Sequence, residues 1–91
     1  MSTIEKIQEE VLVAESVDHN NQIVLYNDDV NTFDHVIEML VSICDHTTIQ
    51  AEQCAILVHY KGKCTVKTGS FEKLKPQCSL LLEAGLSAEL V

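Results

Sequence analysis

The sequence is poor in basic residues and in glycine, and it has no apolar run of membrane length. Six Lys and Arg stand against fourteen Asp and Glu, a formal net charge of −8. Phosphate binding relies on clustered Lys and Arg, so nucleic acid is not expected as a partner. The balance suits a basic protein surface or a positively charged ligand. Three glycines, none clustered, leave no phosphate-cradling loop. The longest apolar runs, such as Ala55–Val58 and Leu80–Leu82, fall far short of the ~20 residues that span a bilayer, so no membrane association is expected. No basic segment precedes an apolar one near the start, so no secretory signal is expected and the protein is placed in the cytoplasm. The cysteines Cys44, Cys54, Cys64 and Cys78 form no C-x-x-C pair. Zinc sites usually show closely spaced ligand pairs, and disulfide frameworks expect a secreted, loop-rich chain. These four read instead as reduced, small core residues, with no metal or cofactor expected.

What is present fits one domain. A chain of 91 residues buries only about 60–65% of its unfolded surface, so nearly every apolar stripe must serve the core. Residues 1–20 are Glu-rich and read as a flexible N-terminal extension, in which Ile4, Ile7, Val11 and Leu12 keep helical spacing. Residues 21–91 form the core domain. Gln22–Tyr26 is a β-rich strand that stops at Asn27-Asp28-Asp29, residues that favour turns. Asn31 or Thr32 caps a helix whose stripe of Phe33, Val36, Ile37, Leu40 and Cys44 faces the core. A second helix begins at Thr47 or Thr48 and ends at Gly62; Ala51, Cys54, Ala55, Val58 and His59 share a face, and Ile56 and Leu57 suggest burial on more than one side. Lys63–Thr68 alternates as a strand with one wet face. The third helix is expected to begin between Lys73 and Lys75, keeping Pro76 in its first turn, and Gly85 closes it. Leu86–Val91 is a last short strand. The order β-α-α-β-α-β implies an α+β domain of two layers, a small three-stranded sheet with helices on one face. A monomer is expected, since no long exposed apolar stripe is evident.

Two segments carry candidate chemistry: Asn27-Asp28-Asp29 between strand and helix, and Val58-His59-Tyr60 at the end of an apolar helix. A turn with a helix cap explains the first without further function, and a His beside a helix C-terminus explains the second. Hydrolysis needs a nucleophile paired with a base or two opposed carboxylates, and no nucleophile motif is present. The protein is therefore not expected to be an enzyme. A metal site of Asp28, Asp29 and His59 remains open on ligand chemistry.

Val24-Leu25-Tyr26-Asn27-Asp28-Asp29, followed by a helix and then Leu57-Val58-His59-Tyr60-Lys61-Gly62-Lys63 about thirty residues on, resembles the ClpS family. The resemblance covers residues 22–91 and implies the fold of the ribosomal stalk protein's C-terminal domain. It implies an adaptor that binds the first residue of N-degron proteins, Leu, Phe, Tyr or Trp, and delivers them to a Clp AAA+ unfoldase. Asn27, Asp28 and His59 would meet the α-ammonium, His59 accepting through a neutral nitrogen, so that binding weakens as the imidazole protonates. Asp29, Asn31, Phe33, Val36, Ala55, Val58 and Leu86 would line the side-chain pocket. Asn31-Thr32-Phe33 departs from the commoner Thr-Pro-Met: Phe33 would narrow the pocket and Ala55, in place of a larger residue, would deepen it, so that the two either compensate or shift the preference among Leu, Phe, Tyr and Trp. Glu72 would belong to the surface that meets the N-terminal domain of a ClpA- or ClpC-like unfoldase, although Gln77 stands where some members carry a Lys. The alternative is a stalk-like interaction domain that shares the fold and binds no N-degron.

Overall fold

The computed structural model describes residues 21–91; the expected extension, residues 1–20, lies outside the described residues. The elements are β1 (Asn21–Tyr26), α1 (Phe33–Cys44), α2 (Thr48–Lys61), β2 (Lys63–Gly69), α3 (Phe71–Glu83) and β3 (Ser87–Leu90). β1 lies at the centre of a sheet ordered β2-β1-β3, antiparallel to both neighbours. This is the α+β layer pair that the pattern implies. Alternation along β1 sends Ile23 and Leu25 inward. There they pack with Leu40 and Cys44 of α1, Ala51 and Val58 of α2, Val66 of β2, and Leu74, Cys78 and Leu81 of α3.

Local chemistry sets the helix ends. Thr32 caps α1 by accepting from the His35 amide. Thr47 and Gln50 form a reciprocal capping box on α2, each side chain bonding the other's backbone N–H. Gly62, at φ 95°, closes α2 in the left-handed region that glycine enters without steric cost. The last turn of α1 is held from outside: Lys67 Nζ donates to Cys44 O at 3.0 Å and Gln77 Nε2 to Ile43 O at 3.3 Å.

Three expectations are corrected. α3 begins at Phe71, not at Lys73–Lys75, because Ser70 caps it by accepting from the Lys73 amide. Pro76 therefore sits in the second turn and leaves the Glu72 carbonyl without its usual amide partner. Burial of Leu74, Cys78 and Leu81 along one stripe anchors the helix on both sides of that proline. α2 is buried on one side only: Ile56 and Leu57 are 45% and 44% exposed, because a three-stranded sheet has no layer to place against them. With Ile49 and Tyr60 they form an exposed apolar stripe at i, i+7, i+8 and i+11, which removes the premise on which a monomer was expected. On α1 the core-facing stripe stops short of Phe33, which is 43% exposed.

Candidate functional site

The strand-to-helix loop is organised around one carboxylate. Asp28 Oδ1 accepts from the backbone N–H groups of Val30 and Asn31, both at 3.0 Å. The Asn31 side-chain amide donates to Oδ1 at 3.1 Å and to Oδ2 at 3.0 Å. Ser87 Oγ, at the start of β3, donates to Oδ2 at 3.0 Å. The Asn31 backbone N–H, helped by Val30, Ser87 and the Asn31 amide, holds the Asp28 carboxyl below its ordinary value against the opposing effect of partial burial. The ends of the loop are tied as well. The Asn27 amide donates to Gly62 O at 3.0 Å, which joins the triplet to the end of α2. Asn31 Nδ2 also donates to Gly85 O at 2.8 Å, and His35 Nε2 donates to Ala84 O at 2.9 Å. The α3–β3 turn is thereby held against the loop and the first turn of α1.

All ten residues expected at the site line one cavity of about 270 Å³. Asn27, Asp28, Asp29 and Asn31 come from the loop, Phe33 and Val36 from the first turns of α1, Ala55, Val58 and His59 from α2, and Leu86 from just before β3. Leu86, Ala55 and Val58 are buried, Val36 is half-buried, and Phe33 and His59 stand at the exposed edge. The His59 ring meets the Phe33 ring edge-on at 5.8 Å and the Tyr60 ring at 4.7 Å. The lining includes two carboxylates, Asp28 and Asp29, and no Lys or Arg. Such a wall attracts a cation and offers it oxygen acceptors. Drug-sized ligands take pockets of about 300–1,000 Å³, so this cavity sits at the small end, with room for about one amino-acid residue.

Four contributors escaped the sequence. Leu25 and Tyr26 line the cavity from the end of β1; their hydrophobicity marked a strand and gave no sign of a site. Ser87 reaches Asp28 because β3 pairs with β1 in a register that sets Ser87 opposite Tyr26, and His35 reaches Ala84 only through the packing of α1 on α3. Glu72 lies away from the cavity, exposed in the first turn of α3. Among the described residues no group of three or more His, Cys, Asp or Glu is arranged to hold a metal, and Asp28 already receives side-chain and backbone donors. The cysteines are free; burial pushes the Cys44 thiol up to about 11 and the Cys54 thiol up to about 12.

Comparison with known proteins gives a consistent picture. The sequence model of the family described as "ATP-dependent Clp protease adaptor protein ClpS" matches residues 16–89. The ATP-dependent Clp protease adapter protein ClpS of Thermosynechococcus vestitus is 36% identical over 69 residues, covering 75% of this chain and 73% of that protein. Its counterpart in Acetivibrio thermocellus is 30% identical over 60 residues, 66% of this chain and 61% of its own length. Among solved structures, Agrobacterium tumefaciens ClpS2 bound to L-phenylalaninamide superposes with a TM-score of 0.66 at 21% identity, covering 78% of this chain and 93% of that one.

Proposed function

The chain belongs to the ClpS family of ATP-dependent Clp protease adaptors, and from that premise we propose that its cavity binds the first residue of N-degron proteins for delivery to a Clp AAA+ unfoldase. One observation carries this reading: one small cavity joins an apolar wall of Val36, Ala55, Val58 and Leu86 to two carboxylates, with no Lys or Arg in its lining. A free protein N-terminus has the matching form, an ammonium with donors only, next to a side chain. Phenylalaninamide, the ligand of the Agrobacterium relative, has the same form.

In this reading Asn27, Asp28 and His59 receive the ammonium. Charge-assisted hydrogen bonds contribute about 1.5–3 kcal/mol each. His59 accepts through an unprotonated nitrogen, with its ring steadied by Phe33 and Tyr60. The bound side chain lies among Val36, Ala55, Val58 and Leu86 below the Phe33 ring, where burying a Leu or Phe contributes roughly 1.5–3 kcal/mol. Neither contribution suffices alone, and together they support micromolar binding. Leu, Phe, Tyr and Trp fit, whereas acetylation removes the charge. Glu72 on the exposed start of α3 belongs to the docking surface for a ClpA- or ClpC-like N-terminal domain, and the protein works in the cytoplasm.

Fluorescence anisotropy with labelled peptides headed by Leu, Phe, Tyr, Trp, Ile and Met, each free and acetylated, tests the reading. Expected is binding of the free bulky N-termini, abolished by Asp28→Ala and weakened by His59→Ala. No binding of any peptide at high micromolar protein would overturn it in favour of a stalk-like interaction domain.

A further inference from the structure

An ionised carboxylate accepts about four hydrogen bonds, two per oxygen. Oδ1 of Asp28 is filled by the Val30 and Asn31 amides and shares the Asn31 side-chain amide. Oδ2 has the other arm of that shared contact and Ser87 Oγ. By that count the four donors fill the carboxylate, with one Asn31 N–H shared between its oxygens, so an incoming ammonium would take over the shared contact at Oδ2, which Ser87 fixes from the strand side while the loop fixes Oδ1. The orientation of the Asn31 amide is determined by its surroundings: both neighbours, the Asp28 carboxylate and Gly85 O, are acceptors, so nitrogen must face them. Asn31 therefore links the carboxylate to the turn whose next residue, Leu86, is 4% exposed and lines the cavity. Gly85 at φ 91° gives that turn its shape.

We propose that Ser87 and Asn31 are positioning residues: Ser87 aims the Asp28 carboxylate at the incoming ammonium, and Asn31 couples that carboxylate to the apolar pocket through Gly85. The proposal deepens the N-degron reading and rests on it. The two residues then differ in effect. Ser87 touches only the acceptor, so its loss weakens every free N-terminus alike. Asn31 touches acceptor and pocket, so its loss also changes the ranking of side chains. The other titratable groups that share the lining with this carboxylate are Tyr26 of β1, Asp29 of the loop and His59 of α2. A readout specific to Asp28 is therefore required.

The test combines peptide anisotropy with a carbon-13 titration of the Asp28 carboxyl, on the full chain, for wild type, Ser87→Ala, Ser87→Thr and Asn31→Ala. For Ser87→Ala we expect affinity about three- to tenfold lower for Leu- and Phe-headed peptides alike, with recovery in Ser87→Thr, which keeps the hydroxyl. The Asp28 titration should move up toward its ordinary value in Ser87→Ala and return in Ser87→Thr together with the affinity, a coupling that a serine of purely structural effect would not produce. Asn31→Ala should lose more and lose unequally between Leu and Phe. If Asn31→Ala fails to fold, the Ser87 pair decides. Wild-type binding matched within about twofold by Ser87→Ala, or an unmoved Asp28 titration, overturns the proposal alone. Failure of the wild type to bind any peptide overturns the N-degron reading as well.

Discussion

The mouth and the wall of the cavity are built on different principles. At the mouth, Asp28, Asn31, Ser87 and the Gly85 carbonyl are joined by directional bonds of 2.8–3.1 Å. The wall, made by Val36, Ala55, Val58 and Leu86, comes from two helices and the approach to β3, and shape alone holds it. Directional bonds fix one arrangement of charge, and losing one partner leaves an orphaned group. Packing fixes a volume, and its loss is graded by the space left behind. The two halves meet at Asn31 and Leu86, and a proposed ligand with an α-ammonium next to a side chain would engage both.

The comparison is broken most forcefully at Leu86. Leu86→Ala removes a buried wall residue that also belongs to the core cluster, and it should lower stability by about 2–4 kcal/mol, read as the denaturant midpoint times the unfolding slope. A loss under about 1 kcal/mol would show that the turn relaxes into the space, and that the wall is not packed as the core is.

A smaller change sharpens the comparison at the edge, where an aromatic ring stands between mouth and wall. Edge-on aromatic pairs contribute about 0.5–1.5 kcal/mol beyond area. Phe33→Leu should therefore cost free N-termini about two- to tenfold in affinity through a less steady His59, while admitting Ile-headed peptides relatively better. Unchanged ranking of Phe, Leu and Ile peptides would place Phe33 outside the specificity of the site.

The two halves also differed in how far the sequence revealed them. The mouth was legible where it is local: Asn27-Asp28-Asp29 with Asn31, the Thr32 cap and Gly62 all act within a few residues. Ser87 was not, because its role depends on the register of β3 against β1. The wall residues were reached through family resemblance, since apolar periodicity identifies a face without saying whether core or cavity lies behind it. Phe33 shows this: helical spacing put it in the core, and packing left it at the rim. The exposed side of α2 escaped for a related reason. Ile56 and Leu57 look buried in any periodic pattern, and only the number of layers decides. Pro76 misled by a local rule that the capping of Ser70 and the anchoring of Leu74 override.

The finest distinction between mouth and wall is their response to acid. Hydrogen bonds hold Asp28 below 3.8 in the folded protein, and those donors are absent from the unfolded chain, where the residue titrates near its ordinary value. Above that value both states are ionised and the stabilisation is complete. As the pH falls through the window between the ordinary and the depressed value, the unfolded state takes up its proton first and the stabilisation is lost. Asp28→Asn never has this pH-dependent term. The difference in melting temperature between wild type and Asp28→Asn should therefore be constant above about pH 5 and shrink progressively below it. The other carboxylates titrate in both proteins and cancel in the difference. Leu86→Ala, scanned in the same way, should differ from wild type by an amount that does not follow this window, because no proton is linked to packing. A gap for Asp28→Asn that stayed constant into strong acid would mean that the carboxylate is not held by its donors, and the distinction between a mouth made of bonds and a wall made of shape would fail at its central residue.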